Sequence, residues 1–339
     1  MENREERPPE RPGQRLVYVD MAKCVMLMFV IVSHTEAWRL ELPVDPILIS
    51  TFWICSGYTS GPSVSLRRKA TGLLVPYFAM SALCLLFSWL VAGRDIVSRD
   101  ILGILYSRYV ALAAPASETN PCLMPLCNSP LWFLTSLFTG FCVYASLMRI
   151  RTLRTQTLAA GLCLALAWAA TYLPVLLPWS IDTALFAGPM IWAGHQMRRL
   201  NVLESLWKLK WRLAACIALY AAFAWLQGWG NVSVREYGRW WPVPVLSSLT
   251  GVPALMLLCK AFEHSLAARL LSAINRQALY IFGMQMMFIN LVPRHLPFMD
   301  GWPQTLAAAL LLSICGGWAT GRAMSWLTRL VSCRCGKTR

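Results

Sequence analysis

The chain has 339 residues, of which 57% are hydrophobic and only 14% charged, with 16 Trp. A soluble core of that size has no use for so much apolar surface, so the composition excludes an ordinary globule and points to a polytopic membrane protein. A net charge of +15 would suggest nucleic acid in a soluble protein, but here the basic residues lie in short clusters between apolar runs, a pattern that reports topology instead.

Met1 to Gln14 is charged and Pro-rich, with no apolar run before a small-residue cleavage site, so residues 1–15 read as a disordered cytosolic tail. Ten apolar runs follow, at 17–38, 44–61, 71–92, 130–148, 157–173, 180–197, 213–230, 243–262, 277–292 and 304–331. Each is long enough, or nearly so, to cross about 30 Å of hydrocarbon as a helix. The fold class expected is therefore an all-α polytopic membrane protein, a single domain over 16–331 with ten transmembrane helices, both termini cytosolic, and a basic tail over 332–339. Only this phase gathers most Lys and Arg on the cytosolic side, leaving Arg39, Arg94, Arg99, Arg108, Arg235, Arg239 and Arg294 outside.

The first run carries Asp20, Lys23 and His34. Ionisable groups inside a span cost at least about 2.5–3.5 kcal/mol each for Asp, Lys or Arg at the centre, so they mark a substrate or ion path. Steps of three and eleven residues nearly close whole helical turns, which places the three within about 60° of one another on one face. Lys23 and His34 are then about 16 Å apart along it. An imidazole with a pKa of about 6.5 suits a general base. Asp20 and Lys23 have two readings, an ion pair fixing the helix end or a site for a cytosolic ligand. Glu36 falls on the face opposite His34.

The second run is short and contains Ser56-Gly57-Tyr58, which predicts an irregular helix packed against protein. Arg67, Arg68 and Lys69 are either a topology signal or a binding set for phosphate oxygens. Two outer loops have length: Gly93 to Ser129, whose first half reads as a surface helix, and Asn231 to Trp241, with aromatic residues typical of a membrane interface. Most cysteines lie within apolar runs as packing residues; Cys122 and Cys127 share the outer loop, where an oxidising compartment would allow a bridge. Cys333 and Cys335 are too few for a zinc site, and no metal is expected. His195, beside Arg198 and Arg199, reads as interfacial. Asp182, near the outer end of the sixth run, is a candidate for binding hydroxyl groups.

Arg15 through His34, with Asp20, a basic residue at 23 and a histidine eleven residues later, resembles the opening motif of the membrane-bound acyltransferase 3 family. The likeness continues at Phe52-Trp53-Ile54-Cys55-Ser56-Gly57-Tyr58, at Arg67-Arg68-Lys69 followed by Leu74-Val75-Pro76-Tyr77, at Leu131-Trp132-Phe133-Leu134, and at Leu279-Tyr280-Ile281-Phe282. Two departures stand out. Leu48 and Gln285 occupy positions where many members have histidine, and Lys23 replaces the Arg of many relatives, as in the branch that resembles fucose acetyltransferases.

The resemblance implies an integral-membrane O-acyltransferase in a bacterial cytoplasmic membrane. It would move an acyl group, most simply acetyl from acetyl-CoA, to a hydroxyl of a surface polysaccharide or lipid-linked glycan, with acyl-CoA as donor substrate and no tightly bound cofactor. Its partners would be membrane lipid, acyl-CoA and the glycan, with no nucleic acid. The catalytic set is then His34, as general base or transient acyl carrier, with Asp20 and Lys23. Arg67, Arg68, Lys69, Ser56 and Tyr58 would hold the acyl-CoA, and Trp132, Asp182 and Glu36 the acceptor. The alternative from another class is a transporter or glycan exporter using Asp20, Lys23 and His34 as a proton or substrate path. The chain shows no repeated halves of the kind many transporters carry.

Overall fold

The computed structural model describes residues 15–91, 93–295 and 301–335. The tail expected over 1–15 lies, but for Arg15, outside them, as do the last four residues of the basic tail. Every named element among the described residues is helical, and extended pairing is limited to two isolated bridges, Leu112 with Val175 and Asn231 with Glu236.

Thirteen α-helices are present among the described residues. The first half holds α1 (Val17–Ser33), α2 (Ser50–Tyr58), α3 (Leu66–Leu90), α4 (Ser98–Tyr106), α5 (Trp132–Met148) and α6 (Leu153–Ala169). The second holds α7 (Ile181–Arg199), α8 (Val202–Lys208), α9 (Lys210–Gln227), α10 (Val243–Ala261), α11 (Leu266–Asn275), α12 (Ala278–His295) and α13 (Trp302–Cys335). Five segments are long and apolar enough to cross a membrane: Leu66–Leu90, Leu126–Met148, Leu153–Tyr172, Val243–Ala261 and Trp302–Trp326. Helices α8 and α9, bent by 111° at their junction, would make a sixth if taken as one span. Outward-facing Leu158 and Leu162 on α6, Trp225 on α9 and Leu311 on α13 are exposed, as a lipid-facing rim requires.

Helix α1 runs through the interior against α2, α10, α11, α12 and α13. It stops at Ser33, short of the run read from the sequence, because the polar side chains there compete for backbone carbonyls. The Ser33 hydroxyl donates to Val30 O (2.8 Å) and the Thr35 hydroxyl to Val32 O (2.8 Å), while the backbone N–H of His34 reaches only Ile31 O. Glu36 therefore lies in a turn beyond the helix, not on its opposite face.

The second run divides into a 3₁₀ turn at Asp45–Ile47 and the nine residues of α2, about 13 Å of helix at 1.5 Å per residue and too short to cross alone. It is buried almost throughout, backbone to backbone against α7. A Cβ on Gly57 would stand 1.7 Å from Ile191 O, and one on Gly194 would stand 1.9 Å from Ile54 O. Gly194→Ala is expected to cost roughly 1–3 kcal/mol through overpacking, read as a lower thermal midpoint of the detergent-extracted protein. Gly161→Ala on α6, with nothing within 4 Å of the added carbon, should leave that midpoint unmoved.

Candidate active site

His34 caps the C-terminal end of α1. Its Nδ1 is 2.7 Å from Val30 O and 3.0 Å from Ser33 Oγ. A carbonyl oxygen only accepts, so Nδ1 carries the hydrogen and Nε2 keeps its lone pair. The residue is exposed, although many protein atoms crowd around it.

The link between α1 and α2 brings up a residue that the sequence did not single out. Glu41 is buried, 4% exposed, and its Oε2 has no partner among the described residues. Burial, then the nearby charge of Asp45, pushes its carboxyl up to about 7. Asp45 is half-buried, and its Oδ2 accepts the N–H of Gly230 at 3.1 Å. In sequence Glu41 is merely an acid between Leu40 and Leu42 in a short loop.

The other end of α1 is organised differently from the sequence expectation. Asp20 does not pair with Lys23. Its carboxylate accepts from Arg15 Nε, from Ser272 Oγ (3.0 Å) and from Asn275 Nδ2 (2.7 Å), so it docks the start of α1 on α11. Lys23 is half-buried and makes no hydrogen bond or ion pair among the described residues. It stands close enough to Lys69 and Cys55 for its charge to act on both.

Of the three basic residues that open α3, Arg67 and Arg68 are exposed, while Lys69 turns inward with its Nζ 3.8 Å from the centre of the Phe141 ring. Nearby, Tyr58 receives the Tyr18 hydroxyl at 3.1 Å. Arg198 reaches over Tyr58, with Nη1 donating to its carbonyl (3.3 Å) and a buried Nη2 that has no partner. Sequence reading set Arg198 beside an interfacial His195; its inward turn shows only once α7 lies against α2. His195 itself bonds Ser60 O at 3.1 Å. Ser56 is half-buried, and its carbonyl accepts from Ser60 Oγ at 2.7 Å.

Phe52, Phe133 and Phe282 meet with ring centres 4.9–6.2 Å apart, so the motifs of α2, α5 and α12 form one aromatic cluster. Trp132 sits at its side, 6.2 Å from Phe133 and half-buried. Gln285 is fully buried and neither amide atom has a hydrogen-bond partner among the described residues. Glu36 is exposed. Asp182, considered from the sequence for hydroxyl binding, is instead fully buried: Oδ1 accepts from Arg108 Nη2 and the Thr183 N–H (2.9 Å), and Oδ2 from the Leu177 N–H (3.1 Å), with Arg235 Nε at 3.4 Å. Three hydrogen-bond donors and the Arg235 guanidinium leave it no room for a ligand. Cys122 and Cys127 are free thiols; Cys127 turns inward to Ser88 Oγ (3.1 Å) and Cys84.

The arrangement offers an exposed imidazole with a lone-pair nitrogen at one end of α1, and near the other end two lysines without acidic partners among the described residues and an arginine with a spare donor. The first can take a proton; the second can hold an anion. Residues 16–322 match the family model described as the acyltransferase domain. No curated protein matches the chain.

Proposed function

The chain belongs to the acyltransferase 3 family, and from that we propose that it carries an acyl group, most simply acetyl, from acyl-CoA on the cytosolic face to a hydroxyl of a surface polysaccharide or lipid-linked glycan. The observation that carries this reading is the His34 ring, held through Nδ1 by Val30 O so that Nε2 keeps its lone pair, on a residue exposed at the end of α1. In the reaction Nε2 takes the proton of the acceptor hydroxyl as its oxygen attacks the thioester carbonyl. The C–O bond forms, the C–S bond breaks, and the thiolate leaves to be protonated.

Lys23, Lys69 and Arg198 receive the phosphates of the donor, whose thioester end extends along α1 to His34, with Arg67 and Arg68 gathering it from the cytosol by their positive charge. Ser56 and Tyr58 line the path between them, while Trp132 and Glu36 meet the acceptor. Asp20 acts through position alone. With the five long apolar helices, α1, α2 together with the 3₁₀ turn that precedes it, α7, α9 and α12 would complete ten crossings, both termini being cytosolic, in a bacterial cytoplasmic membrane.

Membranes containing the protein, given labelled acetyl-CoA and cell glycan, should yield label in a base-labile ester on the glycan. No label over membranes without the protein would refute the reading. Lys23→Gln and Lys69→Gln should each raise the KM for the donor about tenfold, the loss of one charge-assisted phosphate contact, and leave the KM for the acceptor within about twofold by the same logic.

A further inference from the structure

We propose that Cys84 and Cys127 are joined by a disulfide in the mature protein, tying the outer end of α3 to the turn that leads into α5. The proposal rests on the cytosolic placement of both termini given above and is independent of the acyl-transfer reaction.

In this structure the two are buried thiols packed against each other. Cys84 Sγ lies 3.5 Å from Cys127 O, and Cys127 Sγ lies 3.4 Å from Cys84 O. Each side chain thus reaches the other's backbone, which only residues on adjoining stretches of chain can do in both directions. Adjoining backbones are what a bridge requires, and rotation about χ1 then brings sulfur to sulfur. Cys122, which shares the outer loop, is only partly buried, and the inward turn of Cys127 carries it away from that neighbour and onto α3. Ser88, one turn along α3 from Cys84, places its Oγ 3.1 Å from Cys127 Sγ. When that hydroxyl donates, it stabilises the thiolate, the form that attacks a disulfide.

The position suits the chemistry. Cys84 stands about 27 Å along α3 from Leu66 at 1.5 Å per residue, nearly the full hydrocarbon thickness of about 30 Å. With Arg67, Arg68 and Lys69 on the cytosolic side, the pair lies at the outer boundary, where an oxidising compartment preserves disulfides. As the chain folds there, the Cys127 thiolate attacks the disulfide of a thiol oxidase and one oxidant sulfur leaves; the Cys84 thiolate then displaces the other. One S–S bond forms in this protein and one breaks in the oxidant, which takes up the two electrons and two protons. The bond joins positions 43 residues apart and encloses α4. It also fixes the 3₁₀ turn Leu126–Leu131, which packs on α12 and runs directly into Trp132 and Phe133.

The test is a non-reducing digest of the full-length protein from cells quenched with an alkylating reagent. Cleavage after Lys and Arg leaves Cys84 on the peptide 70–94 and Cys127, with Cys122 and Cys142, on 109–149. The two peptides should be found joined and should part on reduction. The joined species should persist in Cys122→Ser and in Cys142→Ser and vanish in Cys127→Ser. The same chain made in cells lacking the outer-compartment thiol oxidase should carry both thiols and melt lower by about 5 °C or more, the closed loop being lost. A Glu118→Cys variant, exposed to a membrane-impermeant maleimide on intact cells, reports the side on which the loop lies. Cys84 and Cys127 both alkylated without reduction, while Glu118→Cys is labelled from outside, overturns the proposal, as does a link from Cys84 to Cys122 or Cys142. Label that reaches Glu118→Cys only after lysis overturns the orientation and the bond with it.

Discussion

Replacing His34 with alanine is expected to lower kcat for acyl transfer by about 10²–10⁴-fold, the usual worth of a positioned general base, with insertion and thermal midpoint unchanged. The large effect follows from the lack of a substitute. His195, on α7, is bonded to Ser60 O, and Gln285 has no basic nitrogen. The stability should hold because the ring is exposed and its hydrogen bond to Val30 O is one of several that end the helix. Initial rates of ester formation and a melting curve on the same preparation check both halves. A variant that keeps more than a tenth of wild-type kcat contradicts the assignment.

The second large effect concerns stability. Asp182 joins three stretches of chain that are remote in sequence, through Arg108, Arg235 and the turn before α7. Arg108 also donates to Leu177 O (3.1 Å) and Ser233 O (2.6 Å), and Arg235 to Ala170 O (2.6 Å) and Leu173 O (2.7 Å). Both guanidinium groups are almost fully buried, their side chains 2% and 1% exposed. Asp182→Ala removes their shared counter-charge and leaves two cations in a low-dielectric interior, for which about 3–5 kcal/mol is the expected loss. Thermal unfolding in detergent should show a clear fall in midpoint. An unmoved midpoint with a raised acceptor KM would instead make Asp182 a ligand for the acceptor hydroxyl.

Periodicity and hydropathy made most helices legible, because a long apolar run in the absence of turn residues has few alternatives to a buried or lipid-facing helix. The fine structure of the site was less so. The opening run looked like one helix through Trp38, but side-chain hydroxyls at Ser33 and Thr35 end it at the residue that matters, which puts His34 at an exposed helix end.

Asp20 and Lys23 share a face as spacing requires, yet Asp20 is claimed by Ser272 and Asn275 from a helix some 250 residues on, which no local pattern reveals. Glu41 was invisible for a like reason: its burial depends on how the link folds under the helices, and an acid between two leucines carries no period. Arg198 and Lys69 were seen as charges in basic clusters; their inward turn depends on α7 and α5 lying against α2 and α3.

The most direct measurement uses purified protein in sealed proteoliposomes, with labelled acyl-CoA supplied only on the face bearing Lys23 and Lys69 and acceptor glycan only on the other. The account predicts label in a base-labile ester on the glycan, formed by the wild type and not by His34→Ala. Label that stays with the donor in both, although the glycan and the protein are intact, would contradict it.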